Sequence, residues 1–114
     1  MSECVFCRIV AGEIPSDIIY EDDTVLAFKD INPQAPVHLL LIPKDHIPSL
    51  LELTEADRGL LAHIFAVIQQ LAREYELDKK GFRTVINTGD EGGQTVHHLH
   101  FHLLGGRFMQ WPPG

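Results

Sequence analysis

Four of the chain's seven histidines fall in the six residues from His97 to His102, and three of them, His98, His100 and His102, stand at alternate positions. Alternation with a period of two belongs to a β-strand, whose successive side chains point to opposite faces. His98, His100 and His102 therefore share one face, each about 7 Å from the next. Leu99, Phe101 and Leu103 share the other, which suits a core. Three adjacent imidazoles cannot all be protonated without mutual repulsion, so some are neutral at pH 7 and hydrogen-bonded to one another or to carbonyls. A solvated stripe without function is the alternative. His97 breaks the alternation and is expected to face away, at the surface or an edge.

The rest of the chain supplies a sheet and a cover for it. Cys4 to Val10 is apolar and closes on Ala11-Gly12, which reads as a short helix with glycine just past its end. Glu13-Ile14-Pro15 is a turn. Ile18–Glu21 and Thr24–Lys29 are β-rich runs around Asp22-Asp23, a hairpin pattern. Asn32-Pro33-Gln34-Ala35-Pro36 is a loop, because each proline disfavours helix in the residue before it. Val37 to Ile42 follows as a buried strand ended by Pro43. Thr54 can cap a helix from about Glu55 to Tyr75, in which Leu60, Leu61, Ile64, Phe65, Val67, Ile68, Leu71 and Ala72 recur at helical spacing. His63, inside it, is expected to be partly buried and nothing more. Arg83–Asn87 reads as a strand, Thr88–Gly93 as a glycine-bearing loop and Val96–Leu104 as the last strand. The tail, residues 105–114, holds too many glycines and prolines for regular structure. The expected architecture is α+β: an antiparallel meander with one long and one short helix, forming a single domain over residues 1–114.

Size and charge narrow the partners. A chain of 114 residues is enough for one domain, and it buries roughly two-thirds of its unfolded surface without needing a disulfide or metal to fold. Sixteen acids against nine bases give a net charge of −7, which argues against a non-specific DNA or RNA binder. A small phosphate ligand is still allowed, since backbone N–H groups hold phosphate without lysine. The first residues show no basic region followed by an apolar run, so no signal peptide is expected. No apolar stretch approaches the roughly 18 residues of a membrane span. A cytoplasmic location, with Cys4 and Cys7 reduced, is the expectation.

A histidine ladder can bind a metal, or one member can attack an electrophile while the others orient it and manage protons. Metal held by all three lacks the companion carboxylate of a hydrolytic site. Gly92-Gly93-Gln94-Thr95, just upstream, allows close backbone approach to a phosphate with N–H and O–H donors. Together these features suggest phosphoryl or nucleotidyl chemistry.

The segment Val96-His97-His98-Leu99-His100-Phe101-His102-Leu103-Leu104 resembles the His-x-His-x-His-x-x signature of the histidine triad superfamily. Nearly the whole chain is similar to its Hint branch. The matches include Ile14-Pro15, Tyr20-Glu21-Asp22, Ala27-Phe28-x-Asp30-Ile31, Pro33-Gln34-Ala35-Pro36-x-His38, Ile42-Pro43-Lys44, Gly105-Gly106-Arg107 and the Trp111-Pro112-Pro113-Gly114 ending. The resemblance implies a hydrolase of purine nucleoside phosphoramidates and acyl-adenylates. It makes His100 the nucleophile that forms a nucleotidyl-imidazole, and His102 a donor to the phosphate together with Asn87 and the backbone of Gly93, Gln94 and Thr95. Thr95 stands where relatives often carry serine and donates toward the leaving group. His38 belongs to a proton relay, Asp30 to the ribose hydroxyls, and Phe6, Ile9, Ile14, Phe28 and Ile31 to the purine slot. Simpler readings stand beside these: Phe28 and Ile31 are apolar in any fold, and Asp30 or Asn87 can serve a turn.

Cys4-x-x-Cys7 departs from many Hint proteins. With His46 and His98 it resembles the Cys-Cys-His-His zinc site of some bacterial histidine triad proteins and of galactose-1-phosphate uridylyltransferases, where zinc is structural. Two apolar cysteines packed near a helix start are the plainer reading. The resemblance also implies a homodimer, with the sheet extended across a two-fold axis and the tail near the neighbouring active site. A dinucleoside polyphosphate hydrolase and a nucleotide-binding regulatory module with incidental hydrolysis are the competing functions.

Overall fold

The computed structural model describes residues 3–114; Met1 and Ser2, which open the segment read as lacking a signal peptide, lie outside them. Strands β1 (Ile18–Glu21), β2 (Val25–Lys29), β3 (Val37–Pro43), β4 (Phe82–Val85) and β5 (Phe101–Gly105) form one antiparallel sheet in the order β1-β2-β3-β5-β4. The β1–β2 turn is tied by Asp22, whose Oδ1 accepts the backbone N–H groups of Thr24 and Val25 at 2.9 Å each. Helix α1 (Val5–Val10) precedes β1, and α2 (Arg58–Glu74) joins β3 to β4.

The sheet is α+β as expected, but its strand order is not that of a meander. After α2 the chain enters at the edge as β4, and β5 returns between β3 and β4. Burial explains the order. A central strand has neighbours on both edges and lies under the helices that cover the sheet's faces, and β5 is buried at every position except His102. In β4 exposed and half-buried positions alternate, the pattern of an edge.

The two faces of the sheet have different covers. On one, α2 lays Ile64, Val67, Ile68, Leu71 and Ala72 against Val25, Ala27, Leu39, Leu41, Leu99, Phe101 and Leu103. On the other, α1 brings Phe6 and Ile9 onto Leu26, Phe28, Leu40 and Ile42. A helix of six residues covers only part of that face. The rest, where His38, His100 and His102 lie, is left for a site.

Element boundaries shift in informative ways. The long helix begins with a 3₁₀ turn at Glu55–Asp57, and Thr54 and Asp57 form a reciprocal capping box there. Helix α1 is capped at Cys4 and leaves through Gly12 at φ +77°, a left-handed conformation that glycine adopts without steric cost. The last strand begins at Phe101 and not at Val96. Leu99 donates its N–H to the Ile47 carbonyl at 2.7 Å, off the sheet ladder, so the segment before Phe101 bends toward the His46 loop. His63 has a partner that sequence did not suggest. Its Nε2 meets Asp22 Oδ2, which also accepts the Tyr20 hydroxyl, so α2 is pinned to the β1–β2 turn. Burial of Asp22 opposes its charge, but these bonds and the two backbone N–H donors hold the carboxyl well below its ordinary range. Among the described residues no helix is long and apolar enough to cross a membrane.

Candidate active site

Beside α1, over β2 and β5, lies a pocket of about 340 Å³. Its apolar wall comprises Phe6, Ile9, Ile14, Phe28 and Ile31, the residues expected to form the purine slot. Phe6, Ile9 and Phe28 are buried, whereas Ile31 stands at the rim, 99% exposed. Its polar wall brings together Asp30, Thr95, His100 and His102.

His100 is buried, and its ring meets Phe6 edge-on at 5.1 Å between centroids. Its Nδ1 lies 2.7 Å from the His98 carbonyl oxygen. A carbonyl only accepts, so Nδ1 carries the hydrogen, and in the neutral ring Nε2 is left with a lone pair. That is the arrangement a nucleophile needs.

A second chain of bonds orders the next two imidazoles. The Gln34 backbone N–H donates to His38 Nδ1 at 3.0 Å, so neutral His38 holds its proton on Nε2. His38 Nε2 sits 2.9 Å from His102 Nδ1 and 3.5 Å from Asp30 Oδ2. His102 accepts there, so its own Nε2 bears a hydrogen and serves as a donor. Burial pushes both bases down, with Asp30 opposing the shift. His102 falls to about 4, where the charges of His100 and His38 add to the effect. Both rings are neutral at pH 7.

The glycine loop is held by its own hydrogen bonds. Gly93 N–H donates to the Asp90 carbonyl and Gln94 N–H to the Gly89 carbonyl, each at 3.0 Å. The Gln94 side chain is buried and bonds the carbonyls of Pro48 and Val96. Asn87 Nδ2 donates to the Gly92 carbonyl at 2.7 Å. These groups brace the loop internally and do not line the pocket; of this set only Thr95 does. Gly92 is needed because a Cβ would stand 2.2 Å from the Thr88 oxygen, a close backbone approach within the loop itself. Asp30 Oδ1 accepts the Asn32 N–H at 2.8 Å, the turn contact of its simpler reading, and the residue also lines the pocket. His97 is exposed, as expected.

At the far side of α1, the Sγ atoms of Cys4 and Cys7 and the Nδ1 atoms of His46 and His98 all converge within 4.8 Å. The contacts are Cys4–His98 3.4 Å, Cys7–His46 3.2 Å, Cys7–His98 3.6 Å and His46–His98 3.2 Å. Ligands at ordinary zinc bond lengths on a tetrahedron stand about 3.3–3.8 Å apart, so the four atoms fit one small, thiophilic ion. The fully buried His98 directs Nε2 to the Pro43 carbonyl at 2.8 Å, which leaves Nδ1 as the ligand atom and fixes the ring. Asp30, His38 and His102 also converge, but they suit no ion. His38 presents Nε2 to that cluster, and Nε2 carries its proton because Nδ1 accepts the Gln34 N–H.

The family model described as scavenger mRNA decapping enzyme C-terminal binding matches residues 3–111. An uncharacterized HIT-like protein of Synechococcus elongatus is 56% identical over 115 residues, covering 100% of both chains. The chain belongs to the histidine triad (HIT) family. Among solved HIT structures, a HIT family hydrolase from Legionella pneumophila superposes with a TM-score of 0.97 at 50% identity, covering 98% of this chain and 100% of that one. A histidine triad nucleotide-binding protein from Candida albicans gives 0.81 at 36% identity, covering 89% of this chain and 73% of that one. Sequence reading missed the backbone groups that set the imidazole protons of this HIT chain: the Gln34 N–H and the carbonyls of His98 and Pro43. Gln34 and His98 lie on bends and Pro43 at the end of β3, and no side-chain pattern marks their backbone groups.

Proposed function

We propose that this HIT protein is a nucleotide hydrolase that cleaves purine nucleoside phosphoramidates and acyl-adenylates to the nucleoside monophosphate through a nucleotidyl-His100 intermediate. The observation that carries the reading is the Nδ1–H bond of His100 to the His98 carbonyl, which leaves Nε2 as a lone pair in an apolar-walled pocket. The Legionella and Candida neighbours, a hydrolase and a nucleotide-binding protein by name, agree with it.

The pocket's contents suit the parts of such a substrate. The purine lies among Phe6, Ile9, Ile14, Phe28 and Ile31, and the remaining Asp30 oxygen accepts from the ribose hydroxyls. His100 Nε2 attacks the α-phosphorus, a nitrogen–phosphorus bond forms, and the bond from phosphorus to the leaving amine nitrogen or carboxylate oxygen breaks. Over the whole cycle the water of the second step supplies the proton that a leaving amine keeps. His102 Nε2–H donates to a phosphate oxygen whose charge grows in the transition state. Thr95 donates to the bridging atom as the leaving group departs. Water then attacks phosphorus, releases the monophosphate and returns the lone pair to His100. Two moderate displacements replace one difficult one.

Cys4, Cys7, His46 and His98 would hold zinc, which when bound supplies a structural tie between α1 and the triad segment. Four protein ligands leave no place for water or substrate. A two-fold homodimer completes the proposal, since β1 and β4 leave open sheet edges. Competing turnover of adenosine phosphoramidate and a diadenosine polyphosphate is the test. Preference for the phosphoramidate, read as kcat/KM, is expected. Preference for the dinucleotide reassigns the substrate, and tight nucleotide binding without turnover of either makes the protein a regulatory module.

A further inference from the structure

The tail after β5 makes a contact with the Asn32–Pro36 loop that the catalytic reading does not use. Arg107 lies on the surface, yet its Nε and Nη2 both donate to a single acceptor, the Gln34 carbonyl, at 3.1 and 3.0 Å. Its Nη1 donates to the Phe108 carbonyl, closing the tail onto the same guanidinium. Gly106, at φ +92°, lets the turn press on the loop, for a Cβ there would stand 2.9 Å from Pro36 Cβ. Gln34 is exposed between Pro33 and Pro36, outside the core, and its own side chain reaches only the neighbouring Asn32 carbonyl, at 3.0 Å. Arg107 therefore grips the carbonyl of the one residue whose N–H reaches His38.

We infer that Arg107 is a positioning residue that, by holding Gln34, decides which nitrogen of His38 and then of His102 carries its proton. With the Gln34 N–H in place, His38 Nδ1 is an acceptor, Nε2–H donates to His102 Nδ1, and His102 presents Nε2–H as a donor. With Gln34 displaced, buried His38 loses its N–H partner, and a proton on Nδ1 is then opposed by the Asp30 carboxylate alone, 3.5 Å from Nε2. His38 Nε2 would then be a lone pair facing His102 Nδ1. His102 would have to protonate that atom and turn a lone pair toward the phosphate oxygen, so an attraction becomes a repulsion. His100 takes its proton position from the His98 carbonyl and stays outside this chain of bonds. A guanidinium suits the task because two N–H groups in a fixed fork constrain the oxygen's direction; an ammonium is a point donor.

The kinetic half of the inference rests on the hydrolase reading above; the spectroscopic half does not. Long-range proton–nitrogen NMR of the histidine rings in the full chain, near pH 8 where imidazoles are neutral, reads each tautomer directly. The wild type is expected to show His38 and His102 as the Nε2–H form and His100 as the Nδ1–H form. Arg107→Ala should mix the two forms at His38 and His102 and leave His100 unchanged, with Arg107→Lys between them. Turnover of adenosine phosphoramidate should fall about tenfold in kcat, the size typical of losing a group that orients a functional side chain, with KM moving far less. If Arg107→Ala does not fold, Arg107→Gln carries the same readout. Unchanged His38 and His102 tautomers in the folded variant overturn the inference, whatever happens to kcat. Locked wild-type tautomers that loosen in the variant uphold it even if no nucleotide is turned over, a result that would defeat the hydrolase reading alone.

Discussion

His98 directs Nε2 to Pro43, His100 donates Nδ1–H to the His98 carbonyl, and His102 accepts at Nδ1 from His38, so His98 and His102 carry the proton on Nε2 while the His100 between them carries it on Nδ1. The same burial that fixes protons gives the fold a pH dependence. His102 has its pKa pushed down to about 4, and burial also lowers His38. An unfolded histidine titrates near 6.5. Below that value the unfolded chain takes up protons that the native state refuses, so stability is complete above about pH 6.5 and is lost as pH falls toward 4. Each such histidine contributes at most about 1.4 kcal/mol per pH unit. Urea unfolding of His102→Asn between these pH values should show a shallower slope than the wild type; an equal slope would assign the acid sensitivity elsewhere. The alternating histidines and the Cys4-x-x-Cys7 pair were legible because they are side chains in a pattern, whereas the grouping of Phe6, Ile9, Ile14, Phe28 and Ile31 on one pocket wall followed only from the family resemblance. The backbone groups that fix the imidazoles were not, since bends such as Val96–His100 leave no periodic trace.

Helices and strands were legible where burial leaves a strong pattern, one-sided or continuous. Helix α2 has a regular apolar stripe, and β3 is nearly continuously apolar, so both were placed to within a few residues. Strand order was not legible, because both β4 and β5 can follow β3 and only their relative burial decides which lies at the edge. The start of the last strand was misplaced because His98 reads as a ladder member in sequence while its ring belongs to the cluster at the end of α1. That cluster carries a prediction at this scale. Protein purified without chelator should contain about one zinc per chain, with four ligands as in closed structural sites. Removing it, or Cys4→Ser, should lower the melting temperature and loosen α1 more than it slows turnover under folding conditions. Metal analysis that finds no zinc would contradict the site.

At the scale of the whole molecule, an acidic chain of net charge −7 exposes large apolar side chains: Phe65 is 48%, Phe82 40%, Phe108 88% and Trp111 81% exposed. Phe82 opens edge strand β4, and Phe65 lies on the outer part of α2. A two-fold dimer that pairs sheets and helices would cover such surface, and the tail would then lie near the neighbouring pocket. Sedimentation at micromolar concentration should give a dimer; a monomer contradicts it. Truncation after Arg107 keeps the grip on Gln34 and removes Trp111. It should alter the ratio of kcat/KM values between different amine leaving groups while His100 still reacts, because a large aromatic near the site filters shape without touching the nucleophile. Equal selectivity in the truncated and full chains would deny the tail that role.

The central claim is a covalent bond between His100 Nε2 and the α-phosphorus, and trapping it is the direct measurement. Protein quenched during turnover of adenosine phosphoramidate, digested and analysed by mass spectrometry should carry an adenylyl group on the peptide containing His100, located at that residue by fragmentation. His100→Ala should show no adduct and should lose turnover by orders of magnitude, while binding adenosine monophosphate within about tenfold of the wild type. An adduct on another residue, or substantial turnover by His100→Ala, would contradict it.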